Sequence, residues 1–517
     1  MINNTSRIKN SIKNMTSGIF LHLITLIIQF TYRILFVRIL GAEYLGIKGL
    51  FSNILSIFAF TELGIGQAIV FSLYKPIAEH NENKICALMG IYKRTYYTIG
   101  CIVLFLGLCF YPIYPHLITG NAKNIPGLSF IYSLYVLNAG LGFFFSYRTS
   151  FLNANQQKYI LDIVWIITTI VLYACQIILL IIFKNYLIII SIQICITIIQ
   201  NAIASHVVVC KFPYLKKKAP RLEDEDKKKI ISDVKALIIY KIGTKALNST
   251  DNIIISIFVG TVWVGYYDNY LAIVSSVSAF AYILFASLTA SIGNLNAIGD
   301  DKQKKLIFKV CDLATFIIFS TMGVCFYIAL DPFTKICYGE QYVLGSKISA
   351  IIALNLYVAG MLYAPYNYRQ TMGLFIYGKW RPIISAIENI LVSIFLAKYI
   401  GLAGVLLGTI ITRLTTNSWY DPYIVYKKGF HESPIKYYVS YAFKISIFIF
   451  LCIFCKYISN LYDRNNIFII CVKCFFVILY CLLVISLIYW NSSEMKYLKD
   501  IALQQLNNTI LKLKKGN

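Results

Sequence analysis

The chain has 517 residues, of which 58% are hydrophobic and only 14% are charged. A soluble protein carries roughly 25% charged residues, so this composition excludes an ordinary soluble domain. The 48 lysines and arginines outnumber the 23 acidic residues and give a net charge of +25. These basic residues lie mainly in short polar loops, which indicates contact with membrane lipid headgroups and argues against a nucleic-acid partner.

Continuous apolar runs of about 20 residues recur along the chain, and each can cross a bilayer core of about 30 Å. The absence of an alternating pattern predicts helices rather than the strands of a membrane barrel. We therefore predict an all-α polytopic membrane protein with about fourteen transmembrane helices. The predicted spans lie near 17–39, 46–73, 91–113, 127–152, 159–183, 186–210, 237–259, 266–292, 306–330, 348–373, 382–400, 402–424, 438–459 and 466–490.

The distribution of lysine and arginine predicts the orientation. Every second loop is rich in these residues, as in Lys93-Arg94 and Lys216-Lys217-Lys218, whereas the loops between them contain few. Because basic loops stay on the cytoplasmic side, we expect a multi-pass protein with both termini in the cytoplasm.

A six-residue pattern occurs twice, each time between two apolar runs. Gly41-Ala-Glu-Tyr-Leu-Gly46 and Gly260-Thr-Val-Trp-Val-Gly265 both read Gly-x-x-aromatic-aliphatic-Gly, 219 positions apart. A repeated pair of transmembrane hairpins is typical of transporters built from two related halves.

The longest predicted cytoplasmic connection alternates lysine runs with the acidic run Glu223 to Asp226, and we expect a solvated linker between two bundles. The predicted organisation is an N-terminal six-helix bundle over 1–210, the linker over 211–236, a second six-helix bundle over 237–425, two additional transmembrane helices over 426–490 and a cytoplasmic tail over 491–517.

Five short segments are informative together: Arg38 to Gly46, Gly49 to Ile54, Glu62 to Gly66, Leu73 to Pro76 and Gly401 to Gly408. They resemble the matching segments of bacterial O-antigen and capsule repeat-unit flippases. Those flippases form one family of the multidrug, oligosaccharidyl-lipid and polysaccharide exporter superfamily.

The resemblance implies a fold of two six-helix bundles with two further C-terminal helices. It implies a cargo of undecaprenyl-diphosphate-linked oligosaccharide, moved from the cytoplasmic to the outer leaflet of the bacterial cytoplasmic membrane for surface polysaccharide assembly. It also implies alternating access coupled to an H⁺ or Na⁺ gradient, and partnership with a polysaccharide polymerase and glycosyltransferases.

Charged residues inside the spans are the candidate site residues, because an intramembrane charge is costly unless it faces a cavity or a partner. Arginine binds phosphate oxygens through a planar fork and stays charged in any surroundings. The candidates for binding the diphosphate headgroup are Arg33, Arg38, Arg148, Arg369 and Arg413. The alternative is that Arg38 extends to the outer interface, and that Arg148 and Arg369 contact lipid headgroups near inner helix ends.

Three intramembrane carboxylates are candidates for ion coupling: Glu62, Asp251 and Glu388. Glu62 precedes closely spaced glycines, and Asp251 lies in the polar run Asn248 to Asn252. For each of them, a structural hydrogen bond or ion pair between helices is the alternative interpretation.

The sequence contains no nucleotide-binding loop, metal-ligand spacing or nucleophile arrangement, so we expect neither an enzyme nor a cofactor. Three alternatives stay open. A multidrug exporter of the same fold would need an acidic cavity for cationic drugs. A membrane polymerase or transferase would need a longer outer loop than any predicted here. A scaffold for glycan enzymes would leave no pattern to recognise.

Overall fold

The computed structural model describes residues 4–58, 72–73, 76–77, 79–155, 157–216, 250–298, 300–374, 377–378, 380–461 and 466–500. Within these ranges the chain is almost entirely helical and contains no strand. The α-helices are α1 (Asn4–Leu40), α2 (Ala42–Phe58), α3 (Glu82–Cys109), α4 (Leu128–Ala154), α5 (Lys158–Phe183), α6 (Tyr186–Lys211), α7 (Asp251–Phe258), α8 (Thr261–Ile298), α9 (Asp301–Cys337), α10 (Ser346–Met361), α11 (Tyr363–Thr371), α12 (Arg381–Thr412), α13 (Ser418–Ile424), α14 (Ile435–Asn460) and α15 (Ile467–Ile488).

Nine helical stretches in the described part of the chain are long and apolar enough to cross a membrane. The predicted all-α membrane fold is therefore confirmed, while the number of fourteen spans stays a prediction. Residues 59–71 of the second predicted span lie outside the described residues, as do most of the predicted linker and the first half of the seventh span, 217–249.

The chain forms two compact units, Met1–Asp268 and Asn269–Asn517. In the first unit, α4 packs against α3 and α6, α1 packs against α5, and α2 packs against α7. Its apolar core includes the fully buried side chains of Tyr92, Phe151 and Val208.

The second unit is organised around α9, which contacts α10, α11, α14 and α15. Its core contains Phe316, Tyr357 and Phe448, and the rings of Tyr357 and Phe448 stack with centroids 4.3 Å apart. The helices α14 and α15 contact α9 far more than they contact each other. The two C-terminal helices are therefore held in place by α9.

The long helix α12 contains the turn that the sequence predicts between the eleventh and twelfth spans. Its backbone leaves the helical conformation at Ile400 and Gly401. Beyond the turn, the chain runs back along itself. Ser393 Oγ donates to the Val405 carbonyl oxygen (3.3 Å), and further from the turn an Asn389 amide N–H donates to the Thr409 hydroxyl (3.1 Å). The polar face of each half of α12 is therefore satisfied by the other half.

Candidate functional site

The two copies of the glycine pattern form the turns of two hairpins in the first unit. The α1–α2 turn has Gly41 at φ +93°, and the α7–α8 turn has Gly260 at φ +136°. Side chains rarely adopt these backbone angles, so glycine is the residue that suits both turns.

The last glycine of each copy lies against the opposite hairpin. A Cβ atom at Gly46 would stand 2.1 Å from the Thr261 carbonyl oxygen, and one at Gly265 would stand 2.3 Å from the Ala42 carbonyl oxygen. The contact is reciprocal, because each hairpin presents its glycine to the backbone of the other. Small residues permit this close approach of helices in membranes, and the repeated pattern therefore encodes a tight contact between the hairpins.

Three charged side chains converge close to this contact, about two helical turns from the Gly41 and Gly260 turns. Arg33 of α1 forms an ion pair with Asp268 of α8, with 3.2 Å between Nη2 and Oδ2. Lys48 of α2 interacts electrostatically with both. Arg33 lies eight residues before Gly41, and the other two lie seven or eight residues after the glycine that begins their hairpin, so a rise of about 1.5 Å per residue puts all three at a similar depth. We call Arg33, Lys48 and Asp268 the cationic cluster.

The cationic cluster has a surplus of one positive charge, with two cations and one carboxylate. The Arg33 and Asp268 side chains are 17% and 24% exposed, and Lys48 is half-buried. Exposure at this level leaves the charges reachable while most of their surroundings are protein. Such a site can accept one or more negative charges from a ligand.

Aromatic side chains line one side of the cationic cluster. The Lys48 ammonium lies 5.8 Å from the ring centre of Tyr32 and 5.9 Å from that of Phe36. The Phe36 ring meets the edge of Tyr186, whose hydroxyl is 2.5 Å from that of Tyr135. The rings of Tyr32 and Phe36 attract the Lys48 cation through their π faces. Tyr135 and Tyr186 bring hydroxyl groups into an otherwise apolar wall.

The other two predicted arginines of the first unit have different surroundings. Arg38 is exposed on α1. Arg148, near the end of α4, donates from Nη1 to Ser205 Oγ of α6 (2.8 Å) and lies 5.4 Å from the Tyr147 ring centre. Among the described residues, no carboxylate pairs with Arg148.

In the second unit, Arg369 lies in a sealed polar network. Arg369 Nε is 3.0 Å from Asp421 Oδ1, and Arg381 pairs with the same carboxylate. Arg369 Nη1 also donates to the Tyr377 carbonyl oxygen (2.9 Å). The Arg369 side chain is 0% exposed, so this network joins the end of α11 to α12 and α13 and leaves no face of Arg369 open to a ligand.

The remaining candidates are separate from these clusters. Arg413, half-buried, donates to the Asn355 carbonyl (3.1 Å) and to its amide oxygen. Glu388, also half-buried, accepts a hydrogen bond from the Thr415 hydroxyl. Asp251 is the first residue of α7, and Glu62 lies outside the described residues.

Sequence reasoning missed two members of the cationic cluster as site residues. Lys48 follows Gly46 by two positions and Asp268 follows Gly265 by three. A charged residue just after the second glycine of both copies was the pattern that could have found them. Asp421 was also missed, because nothing near Arg369 in the sequence indicates a partner 52 positions away.

Comparison with known proteins identifies the family of this chain. The family model for polysaccharide biosynthesis protein matches residues 11–292. No curated protein sequence matches the chain.

Several solved structures share the fold. The lipid II flippase MurJ, in an inward closed conformation, is 16% identical, covers 93% of this chain and 99% of its own, and has a TM-score of 0.64. A multidrug resistance MATE family transporter of the MOP superfamily, in an inward-facing conformation, is 14% identical over 79% of this chain and 95% of its own, with a TM-score of 0.61. A mutant of the Vibrio cholerae MATE transporter VcmN is 14% identical over 83% of this chain and 98% of its own, with a TM-score of 0.52. The chain thus shares the fold of these proteins. Because the family model spans more than half of the sequence, the chain belongs to the polysaccharide biosynthesis protein family.

Proposed function

We propose that the protein is a flippase for undecaprenyl-diphosphate-linked oligosaccharide in the bacterial cytoplasmic membrane. It moves completed repeat units from the cytoplasmic to the outer leaflet for assembly of a surface polysaccharide. The observation that carries the proposal is the cationic cluster, a half-buried site with surplus positive charge inside a membrane transporter. Family membership supports the pathway, and the shared fold with a lipid II flippase supports the kind of cargo.

The chemistry of the headgroup matches the cluster. A diphosphate loses much hydration when it enters a low-dielectric region, and nearby cations offset that cost. Arg33 offers two parallel N–H groups to phosphate oxygens, and Lys48 adds a second positive charge. Asp268 holds Arg33 in place before cargo arrives, and a phosphate then replaces the carboxylate as its partner.

Alternating access assigns a role to the contact between the hairpins. The reciprocal packing of Gly46 and Gly265 closes the first unit on the side of the two turns. Access from that side requires the hairpins to separate, since no side chain fits between the touching backbones. An ion gradient supplies the energy in this proposal, with Asp251, Glu388 and Glu62 as candidate coupling groups.

The proposed activity is transport without covalent chemistry, and its partners are a polysaccharide polymerase and glycosyltransferases. A multidrug exporter is the main alternative, because MATE transporters share the fold. Surplus positive charge in the cluster repels cationic drugs, so this site favours the anionic lipid.

A strain that lacks the protein tests the proposal. Its lipids are extracted, and diphosphate-linked oligosaccharide is measured together with surface glycan. Finished repeat units that accumulate on the cytoplasmic leaflet, with surface glycan lost, are the expected result. Unpolymerised repeat units on the outer leaflet would identify a polymerase, and unchanged glycan would contradict the proposal and favour drug export.

A further inference from the structure

A buried ion pair connects the central helix of the second unit to the C-terminal helices. Lys444 of α14 donates to Asp312 of α9, and the two side chains are only 3% and 8% exposed. Asp312 lies 11 residues beyond the first residue of α9, and Lys444 lies 9 residues beyond the first residue of α14. Each charge is therefore about 15 Å from the start of its helix.

Stability alone does not account for this pair. Removing two charges from water costs about as much as their attraction returns, and an apolar pair of similar volume packs equally well. The ion pair differs from an apolar contact in its geometry, because only one placement of α14 along and around α9 brings the two groups together. Apolar side chains would tolerate sliding and rotation.

The pocket around the pair is arranged for charge. The hydroxyls of Tyr357 on α10, Tyr441 on α14 and Tyr489 just after α15 are buried. Among the described residues, the hydroxyls of Tyr357 and Tyr489 and Asp312 Oδ1 have no hydrogen-bond partner, whereas the Tyr441 hydroxyl interacts with Ser418. Asp312 interacts electrostatically with all three tyrosines. Three elements thus bring a polar group toward one carboxylate, within a core that is otherwise apolar.

We propose that the Asp312–Lys444 pair positions the C-terminal helix α14 on the second unit and that transport requires this position. The other C-terminal helix, α15, packs on α9 through contacts of its own. The transport readout rests on the proposed flippase function, whereas the positioning itself does not.

An exposed ion pair between the same parts of the chain provides a matched control. Lys305 of α9 pairs with Glu432, which precedes α14, at 2.5 Å, with side chains 30% and 52% exposed. Water and salt screen this pair. It therefore tests whether any charge contact between the two parts has the same effect.

A native pair of cysteines reports the position of α14. The thiols of Cys455 on α14 and Cys481 on α15 contact each other, and both cysteines are buried. A shift of α14 changes their separation, because α15 stays on α9. Copper-phenanthroline oxidation of the full chain in native membranes forms a disulfide there, and peptide mass spectrometry measures its rate. The variants are D312N/K444M, the exchanged pair D312K/K444D and the control K305M/E432Q, each also reconstituted for lipid flipping.

The neutral variant D312N/K444M should insert normally, form the Cys455–Cys481 disulfide more slowly and flip lipid at least about tenfold more slowly. The exchanged variant should recover both rates in part, and the control should match wild type. If the neutral variant keeps either wild-type rate, the proposal is wrong. If the neutral variant fails to insert, the exchanged variant D312K/K444D provides the test. If that variant inserts but shows neither disulfide formation nor lipid flipping above background, the proposal is also wrong.

The two proposals can fail separately. If wild-type protein moves no diphosphate-linked lipid, the flippase function fails. Slower disulfide formation in D312N/K444M would still support the positioning of α14 in that case.

Discussion

Two arginine–aspartate pairs, one in each unit, differ in how much of their side chains is exposed. In the first unit, Arg33 and Asp268 are 17% and 24% exposed. In the second, Arg369 and Asp421 are 0% and 2% exposed. A partly exposed charge can exchange its partner for a ligand, whereas a sealed charge holds helices together. For these two pairs, the comparison teaches that Arg33–Asp268 suits binding and that Arg369–Asp421 suits a structural role.

A repeated dipeptide shows the contrast most clearly. Tyr147-Arg148 lies near the end of α4, and Tyr368-Arg369 lies near the end of α11, 221 positions later. Among the described residues, Arg148 meets the Ser205 hydroxyl and Tyr147 and no carboxylate, whereas Arg369 meets the Asp421 carboxylate. The same two residues therefore have different partners in the described parts of the two units.

The largest expected effect comes from removing the sealed carboxylate. D421N leaves the buried guanidinium groups of Arg369 and Arg381 without a counter-ion, and breaking a buried pair in this way costs about 3–5 kcal/mol. We expect a large loss of folded protein, measured as the monodisperse yield in detergent and the midpoint of thermal unfolding. A wild-type midpoint for D421N would show that the network is not structural.

The second effect concerns transport rather than stability. R33A removes the bidentate phosphate contact, and we expect flipping to fall by about a hundredfold, equivalent to about 3 kcal/mol. The thermal midpoint should change little, because the Arg33–Asp268 pair is partly exposed. K123A, at an exposed position in a 3₁₀ helix of the same unit, is the control and should flip normally. Equal flipping by R33A and K123A would contradict the assignment of the cationic cluster.

A third substitution converts one Tyr-Arg site into the other. S205D gives Arg148 the carboxylate that Arg369 already has, and we expect flipping to fall by about tenfold with the fold retained. S205A removes the hydroxyl without adding charge and should flip nearly as well as wild type. If S205D is also indistinguishable from wild type in reconstituted vesicles, the free charge of Arg148 has no part in transport.

The smallest effect is expected at the surface of the second unit. Lys335 and Glu340 form an ion pair whose side chains are 55% and 79% exposed. Exposed pairs contribute about 0–1 kcal/mol, so K335M should leave both the unfolding midpoint and the flipping rate near wild type. A loss of folded protein in K335M comparable to that in D421N would mean that exposure does not distinguish structural ion pairs from ion pairs that contribute little to stability.

The fold could be predicted largely from local patterns. Apolar runs identified the helices, and the Gly401 segment marked the turn now found inside α12. The repeated hairpin pattern identified Gly46 and Gly265 as special, but not their mutual contact. Which backbones touch depends on how the whole unit packs, and a pattern of six residues contains no such information.

The candidate site could be predicted only in part, for the same physical reason. Arg33 was identified because an intramembrane arginine is costly by itself. Its partner Asp268 is 235 positions away, and the partner of Arg369 is on another helix. Arg369 and Arg148 look alike in sequence, and only the packed structure shows which one has a carboxylate.

The most direct test of the central claim is a flipping assay on purified wild-type protein in vesicles. It compares fluorescent oligosaccharide linked to undecaprenyl through a diphosphate with the same oligosaccharide on a neutral linkage, and a membrane-impermeant quencher measures the outer-leaflet fraction. We predict rapid movement of the diphosphate-linked lipid and movement slower by at least about tenfold for the neutral one. Equal rates for the two lipids, or no movement of either, would contradict recognition of an anionic headgroup by the cationic cluster.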